Sequence, residues 1–334
     1  MDIQELLSAY YVLVVKEAEL LTTGRINRTY KVTAKDGSSY CLKVYSDAVL
    51  DKRIRDGLEV TNYLAPLSFP VPQVIPTKDQ QELLWLDNCR YLLLKFIPGR
   101  NIPRRLVGQL ECYSLGQMLG KLHQNLRNFP TADKLSNTLW KGSQATLPRV
   151  FDLLKTVQAK ESQDEFDAFA LNSLTYRIQA LQSFDVAPEQ FFHLARQAIH
   201  GDYHLDNIIF NENGQVSGVL DFDQTCYAFP SLELMRVISF TCFDQGTFNY
   251  TLAAQILRGY KQTGVNLTPA DYLEMPRLWY CQLLRGLFGL SEHYTGNADP
   301  RQDEAALDRH HTMVWLGNNL QQVKDFVFAT TTEQ

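Results

Sequence analysis

Long hydrophobic runs are missing from this chain of 334 residues. No apolar stretch reaches the ~18 residues needed to span a bilayer, so no membrane-inserted segment is expected. A surplus of positive charge is missing too. Lysine and arginine number 32 against 37 aspartates and glutamates, a formal net charge of -5 with no long basic run. Backbone recognition of nucleic acid requires a concentrated positive face, so no nucleic-acid partner is expected. Paired cysteines are absent as well: the six, at positions 41, 89, 112, 226, 242 and 281, are scattered and none forms a C-x-x-C pair. That excludes a zinc site of that spacing and a secreted disulfide framework, and Cys41 within apolar Tyr40-Cys41-Leu42 reads as a buried free thiol. Met1-Asp2-Ile3-Gln4-Glu5 offers no basic n-region, so a cytoplasmic protein is expected. There is no G-x-G-x-x-G, no Walker A motif, no internal repeat and no low-complexity tract. What is present, 45% hydrophobic residues over this length, suffices for a large core and two domains.

The first hundred residues are strand-rich around one helix, and the rest is mainly helical. Glu17 to Thr23 and Asn27 to Thr33 read as strands flanking Gly24-Arg25-Ile26, and the turn Lys35-Asp36-Gly37-Ser38 leads into a third strand, Tyr40 to Tyr45. Asp51 to Leu64 is helical, with Gly57 as its weak point. Strands near Glu82 to Leu86 and Tyr91 to Phe96 follow, and Pro98-Gly99 breaks the pattern. From Leu106 a helix presents Leu110, Tyr113, Leu115, Met118, Leu119 and Leu122 on one face. Amphipathic helices fill about 140 to 190, Thr268-Pro269 starts another helix, and residues 329–334 read as a frayed tail.

The chemistry concentrates in His200-Gly201-Asp202-Tyr203-His204-Leu205-Asp206-Asn207. Two short strands follow, Ile208 to Phe210 and Val216 to Leu220, joined through Asn213-Gly214, a strong hairpin signal. The hairpin folds Asp221-Phe222-Asp223 back beside Asn207. A loop carboxylate such as Asp202 can orient or accept the proton of an attacking hydroxyl, while Asn207 and Asp221 offer hard oxygens to a Mg²⁺-bound phosphate. Lys43 is a charge in an otherwise apolar strand, where an unpaired ammonium would be costly to bury. Glu59, sixteen residues on, is its natural partner; the alternative is a Lys43 that faces solvent.

The Asp202-to-Asn207 spacing equals that of the protein-kinase loop H-R-D-L-x-x-x-N, and Asp221-Phe222-Asp223 stands where D-F-G would stand. With Gly201 for Arg and Asp223 for Gly, the segment resembles the aminoglycoside phosphotransferase and choline kinase family, the small-molecule branch of the protein-kinase-like fold. Asn27-Arg28-Thr29-Tyr30-Lys31-Val32 behind a single glycine, and Leu119-Gly120-Lys121-Leu122-His123, extend the resemblance. It implies an α+β, two-lobed protein-kinase-like fold: a small five-stranded antiparallel sheet lobe (1–98) that binds nucleotide, and a larger mainly helical lobe (99–334) for catalysis and substrate. It further implies an ATP-dependent O-phosphotransferase with Mg²⁺, acting on a small-molecule alcohol such as an aminoglycoside, amino alcohol or sugar, as a monomer or homodimer. By the same resemblance Asp202 is catalytic, Asn207 and Asp221 hold metal, and Lys43 with Glu59 fixes the α and β phosphates. The Gly24 loop covers the phosphates, Leu94 and Phe96 lie against the adenine, and Tyr203, Asp206 and Asp223 line the acceptor pocket.

Two other readings compete with a small-molecule kinase. A serine/threonine protein kinase would need an A-P-E segment after Asp221, which is not there. An inactive nucleotide-binding module would be expected to have lost at least one of Lys43, Asp202, Asn207 and Asp221. His123 and His200 read as structural, and His204 has no assigned role. The acids of Ser291-Glu292-His293-Tyr294, Asp299, Asp303 and Glu304 either receive an amine-bearing alcohol or form a solvated helix face. Glu233 in Ser231-Leu232-Glu233-Leu234 departs from the family's D-L-A, which puts the neighbouring substrate pocket in question.

Overall fold

The computed structural model describes residues 2–21, 27–47, 49–137, 142–184, 186–244, 246–295 and 299–332. Gly24 and its loop therefore lie outside the described residues. The chain starts with helix α1 (Ile3–Tyr10), capped by the Asp2 carboxylate, which accepts from the Ile3 amide. Its Leu6 and Leu7 pack with Val32, Leu42 and Leu93 on one face of a five-stranded sheet. The strands are β1 (Val15–Leu21), β2 (Arg28–Ala34), β3 (Ser39–Tyr45), β4 (Leu84–Leu86) and β5 (Cys89–Lys95). Their order is β1-β2-β3-β5-β4, antiparallel throughout, as expected from the resemblance.

Helix α2 (Asp51–Leu64) crosses behind the sheet and serves two cores. Ile54 and Leu58 join Tyr45 and Leu92 under the small sheet, whereas Val60 and Leu64 belong to the large core of the C-terminal part. Hydrophobic burial therefore runs continuously from one part to the other, although the composition of the chain changes near residue 98.

The larger part begins after Pro98-Gly99. Arg100 pairs with Phe210 through both backbone bonds, at 3.0 and 2.9 Å. Helix α3 (Gln109–Leu126) follows a single 3₁₀ turn over Arg104–Leu106. Its buried face is Cys112, Leu115, Leu119, Leu122 and Leu126, while Leu110 is 58% exposed; the expected face was right from Leu115 onward and wrong at its first residue, which precedes the point where the helix meets the core. The remaining elements are β6 (Ser136–Asn137), α4 (Ser143–Gln158), α5 (Glu165–Ser183), β7 (Gln197–Ile199), β8 (Ile208–Phe210), β9 (Val216–Val219), β10 (Cys226–Ala228) and α6 (Pro230–Cys242). A small ribbon, β11 (Phe243–Asp244) with β12 (Thr247–Phe248), leads to α7 (Tyr250–Gln262), α8 (Pro269–Arg285), α9 (Leu290–His293) and α10 (Pro300–Thr332). Thr268 caps α8 as expected, its hydroxyl accepting from the Asp271 amide.

The C-terminal end departs from expectation. Residues 329–332 are not frayed: α10 runs to Thr332, and Thr330 and Thr331 are buried, their hydroxyls donating to the carbonyls of Phe326 and Val327. Packing of one helical face holds a stretch whose threonines look like tail by composition. All six cysteines are free thiols, four buried and two half-buried. No helix among the described residues is long and apolar enough to cross a membrane.

Candidate active site

Where β7 ends, the chain enters the loop carrying Asp202. Gly201 adopts φ +81°, and a side chain there would put its Cβ 2.0 Å from the Gln224 carbonyl oxygen. Only glycine meets both demands. The loop is braced from beneath by Glu233 of α6. Its buried carboxylate accepts from the backbone amides of His200 (3.1 Å) and Gly201 (2.5 Å), and from His123 Nε2 of α3 (3.0 Å). The Tyr260 hydroxyl donates in turn to His123 Nδ1 at 2.7 Å. Burial alone would push the Glu233 carboxyl up, but the hydrogen bond from His123, together with the nearby charge of Arg236, more than offsets it and holds the group below its ordinary value. His200 donates from Nε2 to the Leu220 carbonyl (2.8 Å) and accepts at Nδ1 from the Asp202 amide (3.2 Å). Both histidines are thus structural, as expected.

Glu233 is the residue whose importance sequence reasoning missed. Glu233→Gln replaces an acceptor-only group by one whose amide nitrogen must face a donor, leaving at least one buried N–H without a partner. The expected result is a loss of about 2–3 kcal/mol in stability, read by denaturant unfolding, with turnover falling as the loop loosens. A variant with wild-type midpoint and turnover would remove the bracing role.

Asp202 sits above this brace. His204 Nε2 donates to its Oδ2 at 3.3 Å, the Asn207 side-chain amide donates to its backbone oxygen at 2.9 Å and to Oδ2 at 3.3 Å, and Arg236 lies 3.9 Å from Oδ1. Arg236 also donates to the Gly201 carbonyl. Burial tends to raise the Asp202 carboxyl, yet the hydrogen bond and charge of His204, followed by Arg236 and His200, hold it well below the usual carboxylate range. It is therefore an anion at neutral pH, suited to orienting a hydroxyl and taking its proton late. The Asn207 nitrogen is committed to Asp202, which leaves its Oδ1 as the atom to offer to a cation.

The β8–β9 hairpin forms as expected, Ile208 opposite Val219, and the Leu220 amide donates to the Asn207 carbonyl at 2.8 Å. Asp221 follows at φ +61°, ψ 71°, a left-handed conformation that costs a non-glycine residue about 1–3 kcal/mol. Helix α2 clamps this turn: a Cβ on Gly57 would come within 2.8 Å of the Phe222 carbonyl oxygen. The glycine that weakens the helix locally is what lets it lie against the turn.

Lys43 reaches this turn from β3. Its Nζ lies 2.9 Å from Asp221 Oδ1 and 2.5 Å from Asp223 Oδ2, and the Tyr45 hydroxyl donates to Asp223 Oδ1 at 3.1 Å. Lys43 is 9% exposed, so it does not face solvent. Burial opposes its charge, but Asp221, Tyr45 and Asp223 outweigh it and raise the ammonium well above its ordinary value. Asp221 is lowered, burial being outweighed by Lys43. Asp223 is pushed up to about 6, first by burial and then by neighbouring Asp221, against the pull of Lys43.

Four of the expected residues, Lys43, Asp202, Asn207 and Asp221, converge; others do not take the places assigned to them. Glu59 is exposed on α2 and accepts from the Thr131 hydroxyl, so it is not the partner of buried Lys43; the helix turns that face outward, and Asp221 and Asp223 take its place. Tyr203 is fully buried and donates to the Leu115 carbonyl, so it builds the core and cannot line an acceptor pocket. Asp223 is bonded to Lys43 and Tyr45 of the small sheet. Asp206 is 67% exposed beside His204. Leu94 packs under the small sheet, and Phe96 follows the end of β5, its amide donating to Ser39 and its ring under Lys31 Nζ. The acids near residue 300 are engaged locally: Glu292 caps Gly289, Asp303 accepts from His293 at 2.9 Å, and Asp299 pairs with Arg301 at 2.9 Å.

The model of the phosphotransferase enzyme family matches residues 17–274. Among curated proteins, the homoserine kinase of Zymomonas mobilis is 28% identical over 244 residues, covering 73% of this chain and 71% of that enzyme. The homoserine kinase of Gluconobacter oxydans is 27% identical, covering 78% and 77%. Among solved structures, a spectinomycin phosphotransferase in complex with ADP and spectinomycin superposes with a TM-score of 0.66 at 13% identity, covering 98% of this chain and 97% of that one. An amicoumacin kinase does so at 0.64 and 17%, covering 97% and 94%. The two-lobed α+β fold is thus the kinase-like one, and the protein transfers a phosphoryl group to the hydroxyl of a small molecule. With its catalytic loop, hairpin and buried lysine all inside the matched span, the chain belongs to the phosphotransferase enzyme family.

Proposed function

We propose that the donor is ATP with Mg²⁺, and that the acceptor is a small hydroxyl-bearing amino acid or amino alcohol of the homoserine type. The observation that supports the reading is the convergence of Asp202, Asn207, Asp221 and Lys43 on one cleft. The curated relatives named above are homoserine kinases, which favours that acceptor over an aminoglycoside. In this reading the division of labour is 1–98 for nucleotide and 99–334 for catalysis and acceptor.

The donor set fits Mg²⁺. Asp221, Asp223 and Asn207 Oδ1 are hard oxygens, and the Lys43 ammonium already sits as a cation between the two carboxylates. Among the described residues no group of three His, Cys, Asp or Glu is arranged to hold an ion. A cation here takes its other ligands from phosphate oxygens and water, which is how Mg²⁺ binds in kinases. When bound, Mg²⁺ neutralises charge on the phosphates. Lys43 adds its ammonium to the same task, Asp202 orients the acceptor hydroxyl and receives its proton, and Asn207 keeps Asp202 in place.

Asp221→Asn is expected to weaken Mg²⁺-dependent nucleotide binding by roughly tenfold to a hundredfold, measured by titrating the metal at fixed nucleotide. An unchanged titration would remove Asp221 as a ligand. Wild-type ADP release with L-homoserine tests the acceptor; activity confined to polyols or aminoglycosides would overturn that part of the reading.

A further inference from the structure

The segment that leaves β5 is fastened to the β8–β9 hairpin almost residue by residue. Ile97 packs on Gly218 of β9, where a Cβ would come 2.9 Å from Ile97 Cγ2. Gly99, at φ +136°, lies so close to β8 that a Cβ there would be 2.5 Å from Ile209 Cγ2 and 2.6 Å from the Phe210 carbonyl oxygen. Arg100 then exchanges both backbone bonds with Phe210. One residue further on, Asn101 reaches the metal-suited loop itself. Its Nδ2 lies 2.8 Å from the Ile208 carbonyl oxygen, 2.9 Å from that of Asp206 and 3.3 Å from that of Leu205. Carbonyl oxygens only accept, so the amide nitrogen must face them; the Asn101 oxygen in that place would meet three lone-pair groups.

The two shorter bonds go to the residues on either side of Asn207. The backbone of Asn207 is held separately, its amide donating to the His204 carbonyl at 2.9 Å and its carbonyl accepting from Leu220 at 2.8 Å. Asn101 thus fixes the peptide units before and after a residue whose own peptide is already pinned. We propose that Asn101 is a positioning residue for the cation: by gripping Asp206 and Ile208 it sets where Asn207 presents its Oδ1. This rests on the reading of Asn207 as a Mg²⁺ ligand and adds to it the residue, outside the loop, that orients the ligand. The segment after β5 and the metal loop consequently move as one body. Asn101 is itself exposed, so water can satisfy the three carbonyls when the side chain is lost. Folding stability then changes little, while the aim of Asn207 loosens.

The test titrates Mg²⁺ against equilibrium binding of AMP-PNP to the full chain, with parallel binding in EDTA, for wild type, Asn101→Leu and Asn101→Gln. Asn101→Leu keeps the bulk and removes the donor. It is expected to raise the half-saturating Mg²⁺ about tenfold, the lower end of the range for losing a group that orients a metal ligand. Nucleotide affinity in EDTA and the unfolding midpoint should stay near wild type. Asn101→Gln, which retains an amide donor, should recover part of the loss. An unchanged Mg²⁺ titration in Asn101→Leu overturns the assignment, as does an equal loss of affinity with and without the metal, which a general loosening of the cleft would produce. No recovery in Asn101→Gln would place the effect in packing rather than in the donor and overturn it too. Wild-type binding that ignores Mg²⁺ sinks the metal reading of Asn207 itself, a result distinct from the other three.

Discussion

Replacing Asp202 with asparagine is expected to cut phosphoryl transfer by roughly 10²–10⁴-fold, the usual contribution of a placed proton acceptor. The substitution keeps the side chain's shape and removes only its charge and its ability to take a proton. The carboxylate is held anionic by His204 and Arg236, so the wild-type group is ready to orient a hydroxyl at neutral pH. Because little bond-making to the nucleophile has occurred in a loose transition state, this orientation matters more than strong basicity. Asp202 bonds His204 and Asn207, whereas Lys43 bonds Asp221 and Asp223, so the nucleotide dissociation constant should stay near wild type. Single-turnover transfer and equilibrium nucleotide binding, measured on the same preparation, separate the two effects. Equal transfer rates in variant and wild type would take Asp202 out of the mechanism, and lost nucleotide binding would make it part of the nucleotide site.

Lys43→Met carries the second large effect, and it acts on stability as well as rate. The ammonium lies between Asp221 and Asp223, the latter with only 12% of its side chain exposed. Removing it leaves two carboxylates facing each other in a poorly hydrated turn. Breaking a buried pair on one side costs about 3–5 kcal/mol; Asp221 is 41% exposed, so about 3 kcal/mol is expected, a fall in Tm of roughly 4 °C. Turnover should drop by roughly 10²–10³-fold, the scale for losing one preorganised charge at the transferring group.

The same variant has a signed pH dependence. The native Asp223 carboxyl is pushed up to about 6 from 3.8. Between those values the native state keeps a proton that the unfolded chain has released, so this group's contribution to stability falls as pH rises across that window. Without Lys43, whose charge pulls the carboxyl down, the native value moves higher and the loss extends towards neutral pH. Denaturant midpoints from pH 4 to 8 should therefore diverge between variant and wild type as pH rises. Parallel curves would mean that Lys43 and Asp223 are not coupled in solution.

Much of the site is legible in local sequence because its spacing is local. Asp202 and Asn207 share one loop, and an Asn-Gly hairpin returns Asp221 to it, so five residues of separation and one turn signal suffice to assemble them. The five strands and α2 follow from alternation and helical periodicity. Partnerships that cross the chain are a different matter. Lys43 meets Asp221 and Asp223 some 180 residues away, and no periodic pattern chooses between those and Glu59. Tyr203 and Asp223 sit beside the right motif, yet one points into the core and the other towards the small sheet, because side-chain direction is set by packing. Glu233 stands out in sequence only as a departure from a familiar aspartate; its three donors come from two other elements.

By itself, then, the sequence determined the catalytic loop, the hairpin, the metal-suited oxygens, the small antiparallel sheet and the kinase class, all features encoded by neighbours within a few tens of residues. The tertiary structure alone decided which charges pair with Lys43, that Glu233 braces the loop, and that α2 joins two cores. The reason is physical: hydrogen-bonded turns and amphipathic periods are properties of short segments, whereas burial of a charge is settled by whichever distant groups the packed core brings within reach.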